Sequence, residues 1–225
     1  MSGIKVLSTI GMRTVLEEVT PAFEQANGVT VTRVYDSSIA LMKRIDAGET
    51  GDTAVFTAGA IDELIARGTI ATRTDLTRSF VGIAVRKGAP QPDISTPEAF
   101  RKTMLAARSI ARSETGASGL YFESLIARIG LADALNPKII VQDGIVGTLA
   151  ARGEAEIAVQ QISELMQADG IDIVGPLPDE LQSVTVFSGG VFKSSAAADL
   201  AKAYVAHLAA PAFATVIRLK GMEPA

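Results

Sequence analysis

The chain has 225 residues, of which 48% are apolar and 20% are charged, enough for one large domain or two small lobes of an ordinary folded protein. A net charge of −4 argues against a nucleic-acid partner. The absence of Cys excludes thiolate chemistry, and a single His argues against a His-based metal site, so no metal and no cofactor are expected.

Strand and helix patterns alternate along the first part of the chain. The runs IKVLS, VTVTRVY and TAVFTA are typical of strands, and each is followed by apolar residues at helical spacing. The second half repeats this alternation, with strands at RSIAR, KIIVQ and AEIAVQ and helices near 118–129 and 145–151. Two helices, near 195–208 and 212–220, close the chain. This order predicts an α/β fold with mixed, mostly parallel sheets and helices on both faces.

Two long strands, near 79–86 and 184–192, flank the middle of the chain, and a Pro-rich stretch follows the first of them. This arrangement predicts a chain that leaves one lobe and later returns to it. We expect residues 1–83 and 186–225 in lobe I and residues 84–185 in lobe II, with a ligand cleft between the lobes.

Three turns between a strand and a helix are made of small and polar residues. Their sequences are STIG, DSS and SETGAS, at 8–11, 36–38 and 113–118. Hydroxyls and backbone N–H groups at a helix N-terminus favour an anion, although the same residues also cap helices and form tight turns. The candidate ligands in these turns are Ser8, Thr9, Ser37, Ser38, Ser113, Thr115, Ser118 and Gly119.

Several longer motifs support a family resemblance. Residues 4–58 contain F-x-x-x-x-G-V, S-S and I-x-A-G in order, and GLADALNPKII and HLAAPAFATVIRLKGM follow later. In these motifs the chain resembles a type II periplasmic binding protein, most of all the molybdate-binding branch. The resemblance covers nearly the whole chain and implies the two-lobed type II fold.

The resemblance also implies which positions contact an oxyanion. The first-turn serine of that branch aligns with Gly11, so this hydroxyl is missing, whereas the second serine of the S-S pair is kept. The family's tyrosine aligns near Gln160 or Gln161, so the phenol is missing too. The aligned positions are Gly11, Ser38, Ser118, Ile145 or Val146, and Gln160 or Gln161.

Two arginines stand at the same turns. Arg13 lies in the first turn of a helix, and Arg112 ends the strand before SETGAS. A guanidinium fork suits a carboxylate, which favours an organic anion over a tetrahedral one. The alternative is that both arginines are exposed or pair with Glu17, Glu18 or Glu114. Glu114 is also the nearest candidate for a general base, with a solvated loop carboxylate as its alternative.

The sequence therefore predicts a binding protein for a small anion, an organic di- or tricarboxylate, held in the interlobe cleft. Two alternatives remain open: an aconitate isomerase-like enzyme that shifts a proton on an unsaturated tricarboxylate, and the molybdate- or oxyanion-binding component of an ABC transporter. An effector domain of a transcription regulator is least favoured. We expect a monomer, cytoplasmic as the sequence is written. If a leader was removed, it would be periplasmic and would engage the membrane components of a transporter.

Overall fold

The structure is a computed structural model that describes residues 3–225. Its strands are β1 (Gly3–Thr9), β2 (Thr30–Asp36), β3 (Thr53–Thr57), β4 (Thr74–Arg86), β5 (Ile110–Ser113), β6 (Ile139–Gln142), β7 (Ile157–Gln161), β8 (Ile171–Pro176), β9 (Val184–Val191) and β10 (Met222–Pro224). Its α-helices are α1 (Arg13–Asn27), α2 (Ser38–Asp46), α3 (Ala58–Ala66), α4 (Pro97–Ala106), α5 (Ala117–Arg128), α6 (Ala132–Leu135), α7 (Gly147–Arg152), α8 (Ile162–Leu165), α9 (Ala198–Leu208) and α10 (Ala214–Leu219).

The chain forms two compact units. Unit 1 runs to Ser79 and resumes from Thr185 to Ala225, and unit 2 is Phe80–Val184. The chain passes between the units within β4 and at the start of β9, slightly before the lobe limits of 83 and 186 that the sequence predicts.

Unit 1 contains a mixed sheet in the order β2, β1, β3, β9. The first three strands are mutually parallel, whereas β9 runs antiparallel to β3. Alternate residues of β1 face opposite sides: Val6 packs in a core cluster with Leu16 and Phe23 of α1, whereas Leu7 packs with Phe56 and Leu64. Both faces of this sheet are therefore buried, as the alternation of strands and helices predicts.

Unit 2 contains strands in the order β4, β7, β5, β6, with β8 also paired to β4. The central strand β5 is parallel to β6 and β7, and β4 is antiparallel to β7. Ile83 packs on one face with Phe100 and Phe122, whereas Ala84 packs on the other face with Leu165. The predicted α/β class with mixed sheets and helices on both faces is confirmed.

Some elements differ from the sequence expectations. Strand β4 begins at Thr74 rather than near 79, and strands β8 and β10 and helix α8 were not predicted. The β8 segment IDIVGP ends in Gly and Pro and is only half-buried along most of its length, so it lacks the clear apolar signal of the central strands. The last predicted helix is shorter, because a 3-10 turn at Pro211–Phe213 precedes α10.

Among the described residues, no single helix is long and apolar enough to cross a membrane. The bent pair formed by α9 and Pro211–Leu219 passes that test jointly, by length and composition only.

Candidate functional site

The candidate residues of unit 1 lie at the carboxyl ends of neighbouring parallel strands. Ser8 is paired with Tyr35 and Thr9 with Asp36 in the register of β1 and β2, so the turns that follow these strands are adjacent. Ser8 is fully buried, and its hydroxyl donates to the Thr9 carbonyl at 3.2 Å. The buried Gly11 lies in a 3-10 turn before α1, and no side chain caps either helix.

The two serines of the second turn hold structural hydrogen bonds. Ser37 is the N-cap of α2, where its Oγ accepts the Ala40 N–H at 3.1 Å. The Oγ of Ser38 accepts the N–H of Thr57 at 3.2 Å, which ties this turn to the end of β3. A hydroxyl that accepts from an N–H keeps its own proton to donate, so Ser38 can still serve an anion.

Arg13 and Tyr35 stack at the same strand ends. The guanidinium lies over the ring, 5.0 Å from its centroid, in a cation–π contact. Among the described residues neither the Arg13 Nε nor the Tyr35 hydroxyl has a hydrogen-bond partner, although both atoms are buried. Burial raises the pKa of Tyr35 to about 12, so its phenol is neutral and keeps its proton. The alternative pairing of Arg13 with nearby glutamates does not occur within the described part of the chain.

The candidate residues of unit 2 also gather at the ends of parallel strands. Ser113 is paired with Gln142 across β5 and β6, and Arg112 with Val159 across β5 and β7. The turn SETGAS, the loop after β6 and the pair Gln160–Gln161 therefore share one edge of the sheet of unit 2.

The N-terminus of α5 has no side-chain cap. Its N-cap residue is Gly116, although hydroxyl residues stand on both sides. Ser113 is 3% exposed and Ser118 is fully buried, and neither Oγ has a hydrogen-bond partner among the described residues. Neither serine therefore acts as a hydroxyl N-cap, which was the purely structural interpretation of this turn.

Glycine is required on two sides of this turn. A Cβ at Gly116 would overlap the Oγ of Ser113, and a Cβ at Gly119 would overlap the Ser113 carbonyl. The Gly119 N–H donates to the Gly116 carbonyl at 3.0 Å, so this proposed ligand donor already has an acceptor. Glycine here lets the helix start approach the end of β5 and hold both serines in the buried turn.

The observed partner of Arg112 is Glu123 of α5, which was not among the glutamates weighed from sequence. The Nη2–Oε2 distance is 2.8 Å, and Nη1 donates to the Ser113 carbonyl at 3.0 Å. The buried Nε has no partner among the described residues. In this structure the guanidinium holds the end of β5 against α5, and its buried Nε is still able to donate. Glu114 is exposed, and its backbone N–H donates to the carbonyl of Gln142 at 3.2 Å.

The remaining candidates of unit 2 are engaged in the loop after β6. Thr115 Oγ1 donates to an oxygen of Asp143 at 3.1 Å. The Gln160 amide accepts the Val146 N–H at 2.9 Å and donates to the Gly144 carbonyl at 2.7 Å. Of the two alternatives for a backbone donor in this loop, Val146 is thus occupied by Gln160, which leaves Ile145 as the better candidate.

Sequence reasoning missed Glu164, a residue that is only 7% exposed. It lies in the first turn of α8, directly after Gln160 and the buried Gln161. Burial raises its pKa to about 7, against the opposing effect of hydrogen bonds from the Gln160 side chain and the Gln161 N–H. No local signal in QQISEL marks it, because the N-cap residue is Gln161 rather than Ser, Thr, Asp or Asn, and a helix of four residues shows no helical period. Among the described residues no cluster of His, Asp or Glu is arranged to hold a metal ion.

Comparisons with known proteins agree with this organisation. The pattern of the family described as "Bacterial extracellular solute-binding protein" matches residues 4–223. An aconitate isomerase from Pseudomonas sp. is 37% identical over 230 residues, covering 98% of this chain and 87% of that protein. The molybdate-binding protein ModA of Escherichia coli K12 is 22% identical over 226 residues, covering 97% and 88%.

A solved structure shares the fold. The periplasmic molybdate-binding protein of Azotobacter vinelandii superposes with a TM-score of 0.81 at 18% identity, covering 97% of this chain and 98% of that one. The resemblance and the type II periplasmic-binding-protein fold predicted from sequence are therefore confirmed.

Proposed function

We propose that this chain, which belongs to the family of bacterial extracellular solute-binding proteins, binds a small organic di- or tricarboxylate. The observation that carries the anion site is the turn before α5. Two buried serine hydroxyls without partners in the described chain flank a helix N-terminus that lacks a side-chain cap. The first N–H groups of a helix have no acceptor within the helix and carry its positive dipole end, so an anion satisfies both the hydroxyls and the backbone.

Three features favour a carboxylate over a tetrahedral oxyanion. The first turn has Gly11 where the molybdate-binding branch has a serine, and Gln160 and Gln161 stand where that branch has a phenol. Gln160 is also committed to the loop after β6. Arg13, with its unpartnered buried Nε, adds a cation at the strand ends of unit 1. The 37% identity with an aconitate isomerase points to the same ligand class.

The proposal is tested by calorimetry with trans-aconitate, citrate, molybdate and sulfate. Tight binding of a tricarboxylate and weak or absent binding of molybdate is expected. Tight molybdate binding with no heat from any carboxylate would instead support the oxyanion-transporter alternative.

Variants of the α5 turn identify the donors. A hydrogen bond to a charged group is worth roughly 1.5–3 kcal/mol, so Ser113→Ala and Ser118→Ala should each lower the affinity for the anion about tenfold or more. Ser124→Ala is the matched control, because Ser124 lies farther along α5 and donates to the Tyr121 carbonyl. Ser118→Pro removes the N–H as well and should weaken binding further than Ser118→Ala. Losses from Ser124→Ala equal to those from Ser118→Ala would contradict this account.

A second candidate function is catalysis on the same ligand. The observation that favours it is the identity with an aconitate isomerase over nearly the whole chain. Such a reaction moves a proton along an unsaturated tricarboxylate and needs a base, for which the exposed Glu114 is the sequence candidate. Incubation with trans-aconitate in heavy water, followed by NMR, tests for catalysis. An enzyme should convert the ligand to the cis isomer with incorporation of deuterium, whereas a binding protein should leave the ligand unchanged.

Location and partners form part of the binding proposal. Because relatives such as the Azotobacter vinelandii protein are periplasmic, we expect the native gene product in that compartment, delivering its ligand to membrane components of an ABC transporter. Fractionation of cells that express the gene from its own start distinguishes this from a cytoplasmic protein.

A further inference from the structure

The buried carboxyl of Glu164 is joined to the loop after β6 by a single amide. Gln160 holds that loop at two backbone atoms, the N–H of Val146 and the carbonyl of Gly144, and its side chain also hydrogen-bonds Glu164. The Gln161 N–H is the second donor to the carboxyl. The other oxygen, Oε2, is buried and has no partner among the described residues.

No cation in unit 2 stabilises the ionised form of Glu164. Helix α8 packs on β7 and β8, and Gln160 brings the loop before α7 against it. Strand β7 carries no charged residue, and no charge is among the causes that move the Glu164 pKa. The charged residues on the other neighbouring elements are Arg86 in the unit 2 part of β4, Arg112 of β5, Asp143 of the loop, Arg152 of α7, and Asp169 and Asp172 before and within β8.

Three of these charges are already committed to other groups. Arg112 pairs with Glu123 at 2.8 Å, Arg152 pairs with Glu154 at 2.6 Å, and Asp172 accepts the N–H of Gly88 at 2.7 Å. Ionising Glu164 therefore places a negative charge one amide away from the loop after β6, which shares its sheet edge with the turn before α5. A like charge at an anion site opposes the ligand, and the ligand in turn opposes ionisation of the carboxyl.

We infer that Glu164 is the proton-coupling residue of this site: it is protonated when the anion binds, so the anion brings a proton with it and is released as the carboxyl ionises. This inference rests on the proposed anion site at the turn before α5. It adds to that proposal a direction of regulation, with tight binding at mildly acid pH and weaker binding above neutrality. Because Gln160 contacts both the carboxyl and the loop, it is the side chain that would transmit the change in charge.

Calorimetry of trans-aconitate binding at pH 6.0 to 8.5 tests the inference. The wild type should lose about tenfold in affinity across this range, the loss expected if the anion raises the carboxyl pKa by about one unit. In phosphate and Tris buffers at pH 7.5, the different heats should report uptake of about half a proton per anion bound, as a one-unit rise of the carboxyl pKa from about 7 requires. Glu164→Gln should bind with little pH dependence and take up no proton.

The design separates a proton-coupling role from a structural one. The side-chain oxygen of a Gln at this position can accept the Gln161 N–H as the carboxyl does, so Glu164→Gln keeps that hydrogen bond and removes the titration. Glu98→Gln is the matched control, because Glu98 is an exposed acid in the first turn of α4 and should leave the pH profile unchanged.

The possible failures are distinguishable. Absence of binding by both trans-aconitate and molybdate would overturn the proposed function. Binding of either anion by the wild type without proton uptake would overturn the role of Glu164 and leave the anion site standing. This wild-type measurement decides the question even if Glu164→Gln does not fold, and proton uptake that persists in the folded variant would likewise refute the inference.

Discussion

Replacing Glu164 by Gln should change how the stability of this protein depends on pH. The residue is 7% exposed, and burial raises the pKa of its carboxyl to about 7 from an ordinary value of 4.5. Between these two values the folded state keeps the proton and the unfolded state loses it, so the free energy of unfolding falls as pH rises. At 1.36 kcal/mol for each pKa unit, the wild type should lose about 3 kcal/mol between pH 4.5 and 8 through this one group.

Urea denaturation of wild type and Glu164→Gln across that range isolates the effect from other titrating groups. The variant should gain about 3 kcal/mol relative to the wild type from pH 4.5 to pH 8, since Gln carries no ionisable proton. Glu98→Gln should show no such trend. A stability difference between Glu164→Gln and wild type that stays constant with pH would refute the assignment of a buried carboxyl titrating near neutrality.

Three further substitutions test the packing around the proposed site and the core. Gly119→Ala should destabilise the protein by about 1–3 kcal/mol in thermal unfolding, because the new Cβ overlaps the Ser113 carbonyl; an unchanged melting temperature would count against the tight turn. Tyr204→Phe should cost about 1–3 kcal/mol in urea, since it leaves buried Thr20 without its 2.7 Å partner, and a Thr20→Val, Tyr204→Phe double variant should recover part of that loss. Arg112→Lys should weaken the binding of trans-aconitate about tenfold and the binding of molybdate much less. Equal losses of affinity in calorimetry would mean that this arginine only holds the end of β5 against α5.

Local sequence patterns predicted most of the fold, because hydrophobic periodicity and turn chemistry are properties of neighbouring residues. The alternation of Val6 and Leu7 between two cores follows from the two-residue period of a strand. Strand β8 escaped prediction because a half-buried strand that ends in Gly and Pro carries little periodic signal. The short helix α8 escaped because four residues cannot show a helical period.

The hydrogen-bond and ion-pair partners of side chains were much harder to predict than the helices and strands. Arg112 was expected to meet the ligand or a nearby glutamate, yet it pairs with Glu123, eleven positions away in the second turn of α5. Gln160 was placed at the site only through the aligned phenol, and its amide instead holds Val146 in the loop after β6. Such pairings depend on how strands and helices come together, which no local window of sequence records.

The two buried serine hydroxyls are the strongest argument that the α5 turn serves a ligand. Like α1 and α3, helix α5 begins without a capping side chain, but Ser113 and Ser118 also bury hydroxyls that have no partner among the described residues. Each buried hydroxyl without a partner costs about 1–3 kcal/mol. An anion supplies the acceptors that Ser113 and Ser118 lack, and at a hundredfold excess over its Kd it would stabilise the folded chain by about 2.7 kcal/mol. The local deficit in this turn is thus of the size that ligand binding can offset.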